Sequence, residues 1–315
     1  MATWKTRILS MFAPAAFQRG FGETSITGMR FAVVSAFLPT EEITPVAIAA
    51  DELGYAGLTI ADHVVDLETL ATPYPYTDSG QRRWDETCAW PDPWVLVGAL
   101  GAVTTRIRFF TSIYVAAMRS PYLVAKSVGT ASVLSGGRVA LGVGVGWCRE
   151  EFDLLEQDFT TRGARTDEAL ELMRELWSPG WTSYDGTHYP TPRLVMRPEP
   201  AAPVPILVGG LSDAALRRAA RFDGWVGDIC TTDEAIATAG RLRALRAEAG
   251  LDGPFEIIPA LSDAILPEDF ARAGEAGVTE VMTAPWMYYF GRRATLEQKL
   301  EGLQRFHDDV VVHLR

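Results

Sequence analysis

From Met29 onward, short runs rich in β-branched and apolar residues alternate with longer stretches whose apolar positions recur every three or four residues. Residues 30–36 read as a first strand. Thr44 then serves as a helix cap, with Pro45 at the first helical position and Gly54 closing the helix. Residues 57–61 form a second strand, 92–103 a helix, 107–115 a third strand, 121–134 a helix and 138–143 a fourth strand. In the helix at 164–177, Leu170, Met173, Leu176 and Trp177 share a stripe, and Asp167 and Glu168 sit near its start, where the helix dipole favours acids. Strands five to eight fall at 205–208, 225–228, 255–260 and 279–283. Helices begin at Ser212, continue to Ala249 after strand six, and span 267–276. A Thr295-x-x-Gln298 capping box opens a last helix with Leu296, Leu300 and Leu303 on one side.

Eight strand-then-helix units suit a closed (β/α)8 barrel, with an open doubly wound sheet as the rival. Two stretches break the rhythm. Residues 64–91, after strand two, are rich in Pro, Tyr, Thr and Asp. Residues 178–203, before strand five, contain Tyr184-Asp185-Gly186-Thr187-His188-Tyr189, which reads as a hairpin with an Asp-Gly turn. Both insertions are expected to shape a substrate mouth. Residues 29–315 read as one domain, with no linker or repeat inside it. Residues 1–28 lack a helical or strand pattern and read as a disordered N-terminal extension. Their apolar stretch is short for a signal peptide and is broken by Pro14.

The chain has 315 residues, 48% of them hydrophobic, and a formal net charge of -11. An acidic surface repels nucleic-acid backbones and anionic membranes, and no apolar run is long enough to span a bilayer. Cys88, Cys148 and Cys230 are far apart, which indicates a reducing cytoplasm and no metal site. The motifs of P-loop enzymes, Ser hydrolases and zinc peptidases are missing.

Candidate chemistry gathers at the strand ends. Gly142, Gly144 and Gly146 alternate at the end of strand four. Stripping side chains there admits either a flat ligand or a tightly packed neighbour. A dinucleotide fingerprint fails because Trp147 stands where its third glycine would fall. Asp62-His63 follow strand two at once and so lie on the catalytic face of a barrel, where imidazole can exchange protons near neutrality. The alternative is a polar pair capping a strand. Gly209-Gly210-Leu211-Ser212 joins strand five to a helix whose free N–H groups suit a phosphate. Asp213 is expected to face away from such a ligand, and Arg217 and Arg218 to form a solvated helix face. Cys148 reads as packing rather than as a nucleophile. Of the aromatic residues near loops, Trp147 and Trp286 follow strands four and eight and could wall a pocket.

Four segments carry a family resemblance: Leu53-Gly54-Tyr55 through Asp62-His63, Pro93-Trp94 through Pro121, Leu134 through Phe152, and Pro205 through Gly227. In this order and spacing they resemble the bacterial-luciferase-like flavin and deazaflavin oxidoreductases, closest to the coenzyme F420-dependent group. The resemblance covers nearly all of residues 29–312 and implies a TIM barrel. It implies a hydride transfer between deazaflavin and a small organic substrate, with His63 beside the cofactor ring and Asp62 on the cofactor's polar side. It also implies a cis peptide between Ser112 and Ile113 that backs the ring. Val145 and Gly146 would hold the ring through their backbone, and Gly209, Gly210, Leu211 and Ser212 would cradle the phosphate. A homodimer is a further expectation. An FMN-dependent monooxygenase and a non-catalytic flavin-binding barrel remain alternatives.

Overall fold

The computed structural model describes residues 28–314, so the expected extension lies, apart from Gly28, outside the described residues. Strands are numbered in chain order: β1 Arg30–Val34, β2 Gly57–Ile60, β3 Arg108–Thr111, β4 Tyr114–Val115, β5 Val139–Gly144, β6 Thr182–Tyr184, β7 Thr191–Leu194, β8 Ile206–Gly209, β9 Gly224–Cys230, β10 Glu256–Leu261 and β11 Glu280–Thr283. Neighbouring strands run β3-β2-β1-β11-β10-β9-β8-β5, and β3 pairs with β5 to close the ring. These eight strands are all parallel, as their helical crossovers require. The barrel, rather than the open sheet, is the fold.

Strand alternation sorts the core into two. Ala32, Phe110, Ala140, Leu207, Val226, Ile258 and Met282 fill the interior. Their neighbours along each strand face the surrounding helices. Phe31, for example, meets Phe270 and Phe306 edge-on at 5.2 and 5.4 Å. The N-terminal end of the barrel is closed by charge. Arg108 grips Glu256 through two hydrogen bonds of 2.7 and 2.9 Å and reaches Glu280 at 3.0 Å, while Arg30 donates to Glu256 at 2.7 Å. All four side chains stand at the first residue of their strands, so they form one layer. A Cβ on Gly57 would stand 2.8 Å from Glu280 and 2.9 Å from Phe110, which explains the glycine.

Several boundaries differ from the sequence expectation. The first helix is Thr40–Leu53 and begins a turn earlier than Thr44. Glu41 and Glu42 favour that first turn, and Pro45 is carried inside the helix, giving up only the bond to the carbonyl of exposed Glu41. Gly54 closes it in the left-handed conformation, as expected (φ 80°). The third strand is interrupted: the peptide between Ser112 and Ile113 is cis, and β4 resumes at Tyr114. The second insertion does not shape the mouth. It connects a helix to the start of a strand, and that end of the barrel is opposite to the strand C-termini. Ala201 N–H donates to Ser132 Oγ, and Ala202 lies against Gly137, just before β5. The antiparallel β6–β7 hairpin is present, but its connection spans residues 185–190. That loop is pinned to the Arg162–Trp177 helix by Glu168, which accepts from the N–H groups of Thr187 and His188.

Candidate functional site

The C-terminal ends of β2, β3, β5 and β8 converge around Ile113. Gly142 needs its missing Cβ because that atom would stand 1.7 Å from the Thr111 carbonyl oxygen. A Cβ on Gly144 would meet Ile113 Cδ1 at 2.1 Å, and one on Gly209 would meet Ile113 Cγ2 at 2.7 Å. The alternating glycines therefore make room for the bulge of strand three. Of the two readings open from sequence, close packing accounts for Gly142 and Gly144.

Asp62 supports the same bulge from the other side. Its carboxylate accepts two hydrogen bonds from Arg119, at 2.7 and 2.8 Å, and one from the N–H of Val115 at 3.0 Å. Burial pushes the Asp62 carboxyl up, and Arg119 pulls against it. Both oxygens are thus engaged by the protein. Arg119 also lies over the Tyr114 ring, 4.4 Å from its centroid.

His63, the next residue, points to a different partner. Its Nδ1 is 2.9 Å from Glu151 Oε2, and Glu151 Oε1 accepts from the N–H of Val64 at 2.8 Å. Glu151 is 2% exposed. Burial alone would raise its pKa, but the His63 hydrogen bond and charge, with the Val64 and Val65 N–H groups, outweigh it and hold the carboxyl below its ordinary value. An ionised carboxylate only accepts, so Nδ1 carries the hydrogen. Among the described residues, no protein group hydrogen-bonds His63 Nε2.

The first insertion closes over this pair. Glu150, beside Glu151, accepts from Ala71 and Thr72 N–H at 2.7 and 2.9 Å. Arg83 crosses to Asp228 at the end of β9 at 2.7 Å. Trp84 and Trp90 bring their rings to 5.0 Å from His63, with Trp147 at 6.2 Å. Trp147 thus walls the site. Trp286 does not: it is buried against Gly302 of the last helix.

Gly209 to Ser212 form a second corner. Gly210 has φ 111°, and its Cβ would meet Ala215 at 2.9 Å, so the tight entry to the helix needs glycine. Trp225 Nε1 fixes the Gly210 carbonyl at 2.9 Å. Ser212 caps the helix Asp213–Ala220 by accepting from Ala215 N–H, leaving the earlier N–H groups outside the intrahelical ladder. Leu211 and Ser212 are exposed, and Asp213 is tied outward to Arg241 at 2.6 Å. Arg217 is exposed, but Arg218 is not on a solvated face. It is buried, grips Asp167 through two bonds of 2.8 Å and donates to Gly163.

Gly163 follows Arg162 at the start of the Arg162–Trp177 helix. Arg162 donates to the Gly146 carbonyl at 3.1 Å and stacks 3.7 Å from the Phe159 centroid, which Arg149 approaches at 4.5 Å. Neither arginine has an acidic partner among the described residues. Burial and the neighbouring Arg149 charge lower the Arg162 pKa, as expected for a cation lacking a counterion. Val145 and Gly146 are half-buried beside them, Gly146 with φ 81°. Cys148 is a packing residue: burial, with the charges of Glu151 and Glu150, pushes its thiol up to about 12.

Glu151, Arg119 and Arg162 were not singled out from sequence. The visible signal was the Glu150-Glu151 pair directly after the glycine strand, on the one-and-a-half-turn helix Arg149–Leu154.

The luciferase-like monooxygenase family model matches residues 11–295. A Mycobacterium tuberculosis protein of uncharacterized function is 38% identical over 285 residues, 90% of this chain and 99% of the relative. An F420-dependent glucose-6-phosphate dehydrogenase of Segniliparus rotundus is 32% identical over 197 residues, 61% of this chain and 53% of the relative. Among solved structures, an F420-dependent secondary alcohol dehydrogenase in complex with an F420-acetone adduct superposes with TM-score 0.71 at 16% identity, over 92% of this chain and 99% of the other. The monooxygenase RslO1 of Streptomyces bottropensis superposes with TM-score 0.70 at 18% identity, over 91% of this chain and 100% of the other. At these identities the two structures show a shared fold.

Proposed function

The chain belongs to the luciferase-like monooxygenase family, whose members are oxidoreductases, and from that premise we propose that it is a coenzyme F420-dependent oxidoreductase of a small organic substrate. The observation that carries this reading is the Glu151–His63 pair, which presents an Nε2 without a partner among the described residues, set between aromatic rings at the mouth of the barrel. Such a group takes a proton from a substrate hydroxyl, or returns it to a carbonyl, while Glu151 holds the ring and stabilises its charged form. The deazaflavin, when bound, supplies the hydride chemistry.

The donor set fits a flat cofactor with an anionic tail. Ile113 offers an apolar wall, packed from behind by Gly144 and Gly209. The open N–H groups at Leu211 and Ser212, with Arg149 and Arg162 lacking counterions, suit the phosphate. Two relatives, at 29% and 32% identity, are named F420-dependent glucose-6-phosphate dehydrogenases, which favours deazaflavin over FMN. Titrating the purified protein with F420 and with FMN tests the choice. Saturable F420 binding that weakens in Gly210→Val supports it, and binding of FMN alone overturns it.

Two copies pairing through the helices Pro93–Val103 and Pro121–Ser135 complete this reading. The first helix has no charged residue, and Val95, Val103, Leu123 and Leu134 leave large apolar surfaces open across the two. A helix apolar on every side belongs in an interior, and a second copy supplies one.

A further inference from the structure

Building on the oxidoreductase reading, we propose that the site takes a neutral substrate with an apolar, ring-sized body and a single oxygen function, and that it excludes phosphate esters. Apart from Glu151 on Nδ1, the side chains packed around the His63 ring are aromatic. Trp84 and Trp90 flank it at 5.0 Å, and Tyr74 bridges Trp84 and Trp147 at 5.3 and 5.1 Å. Phe37, from the loop after β1, stacks on Trp84 at 6.1 Å and meets Trp90 edge-on at 5.6 Å.

Phe37 is the most informative of these. Its φ is 67°, a left-handed conformation that bulky side chains avoid, and its side chain is 47% exposed. Neither folding nor burial asks for phenylalanine at this turn, since Gly or Asn would take the conformation more easily. An exposed ring held in a strained loop on the rim of an aromatic wall is explained by what it touches there.

The charges near this wall are cancelled within the protein. Arg83 lies over Tyr74 but is paired with Asp228, Arg82 is paired with Asp66, and Arg119 with Asp62. Glu150 and Glu151 are turned to backbone N–H groups and His63. The unpaired Arg149 and Arg162 stack on Phe159, at the cofactor's corner, and the exposed Arg292 and Arg293 lie over none of these rings. A phosphate would therefore be desolvated against the rings without a counterion. A lone oxygen is better served. Among the described residues the indole N–H groups of Trp84 and Trp90 are buried without partners and nothing hydrogen-bonds His63 Nε2, so polar groups exist for one hydroxyl or carbonyl. Burial pushes the Tyr74 phenol up to about 12, so it adds no charge.

The test follows intrinsic tryptophan fluorescence of the full chain, with and without saturating F420, during titration with 1-phenylethanol, acetophenone, glucose 6-phosphate and inorganic phosphate. Cofactor binding is read separately from F420's own fluorescence. The expected result is saturable quenching by the two neutral probes and none by glucose 6-phosphate. Phe37→Asn, which suits the positive φ, should weaken the neutral probes by at least about fivefold, the scale of a lost aromatic contact, and leave F420 affinity within about twofold. Trp147→Leu is the second variant should Phe37→Asn not fold. Glucose 6-phosphate binding as tightly as the neutral probes, no response to the neutral probes, or an unchanged affinity in the variants would overturn the proposal. Wild-type protein that binds 1-phenylethanol but not F420 would overturn the cofactor reading alone.

Discussion

His63 and Glu151 divide one task between them. In the proposed reading, histidine exchanges the proton and glutamate fixes which nitrogen does so. His63→Ala should lower turnover at least about tenfold while cofactor affinity changes little, since a positioned acid or base contributes about 10²–10⁴-fold. Steady-state rates beside an F420 titration check this; a loss confined to thermal stability would assign His63 to strand capping. Glu151→Gln should keep a hydrogen-bond acceptor for Nδ1 but lose the charge that stabilises imidazolium. It is expected to lower kcat more than it raises KM, and to shift the pH profile of kcat. Asp62-His63 could be found in sequence because position after strand two already places them on the mouth. Glu151 could not: it meets His63 across 88 residues, on a helix too short for a periodic signal. Arg119, 57 residues from Asp62, was hidden in the same way.

Elements were legible where alternation or caps were strong. All eight barrel strands, the Gly54 stop and the Thr295 box could be read from local pattern. What the pattern lacked was the direction of the loops: the insertion at 178–203 looked like a second mouth loop, although a connection from helix to strand must lie at the opposite end. The glycines of β5 were ambiguous for a related reason, because strand sequence does not say which neighbour approaches. The structure makes them distinguishable by mutation. Gly142→Ala would drive a Cβ into the Thr111 carbonyl and should destabilise the barrel by about 3 kcal/mol or more, the upper range for overpacking. Gly240→Ala, in the helix Thr232–Glu248 with nothing within 4 Å of its new methyl, should instead stabilise by about 0.5–1 kcal/mol. Thermal melts of the two variants should therefore move in opposite directions.

At the scale of the whole molecule, two features extend beyond the site. The apolar helix pair predicts a dimer in sedimentation equilibrium, and Val95→Lys combined with Leu123→Lys should yield a folded monomer; a wild-type monomer would refute the pairing. The charged layer at the closed end of the barrel makes a prediction about acid. Burial would raise the Glu256 pKa, but the charge and hydrogen bonds of Arg108, joined by Arg30, outweigh it, so the folded pKa lies below the ordinary 4.5. A carboxyl depressed on folding adds stability that is fully present above its unfolded pKa and is lost as pH falls through the folded value. Glu256→Gln removes this contribution and leaves Arg108 with Glu280 alone. Because water reaches part of Glu256, the expected loss at pH 7 is about 2–3 kcal/mol, at or below the lower end of the range for breaking a buried pair. Denaturant unfolding from pH 7 down to pH 3 should show the wild type losing its advantage over Glu256→Gln as the carboxyl protonates, with the two curves converging at the acid end. A gap that stays constant across that range would show that Glu256 acts by packing and hydrogen bonding, and that its charge is not what secures the end of the barrel.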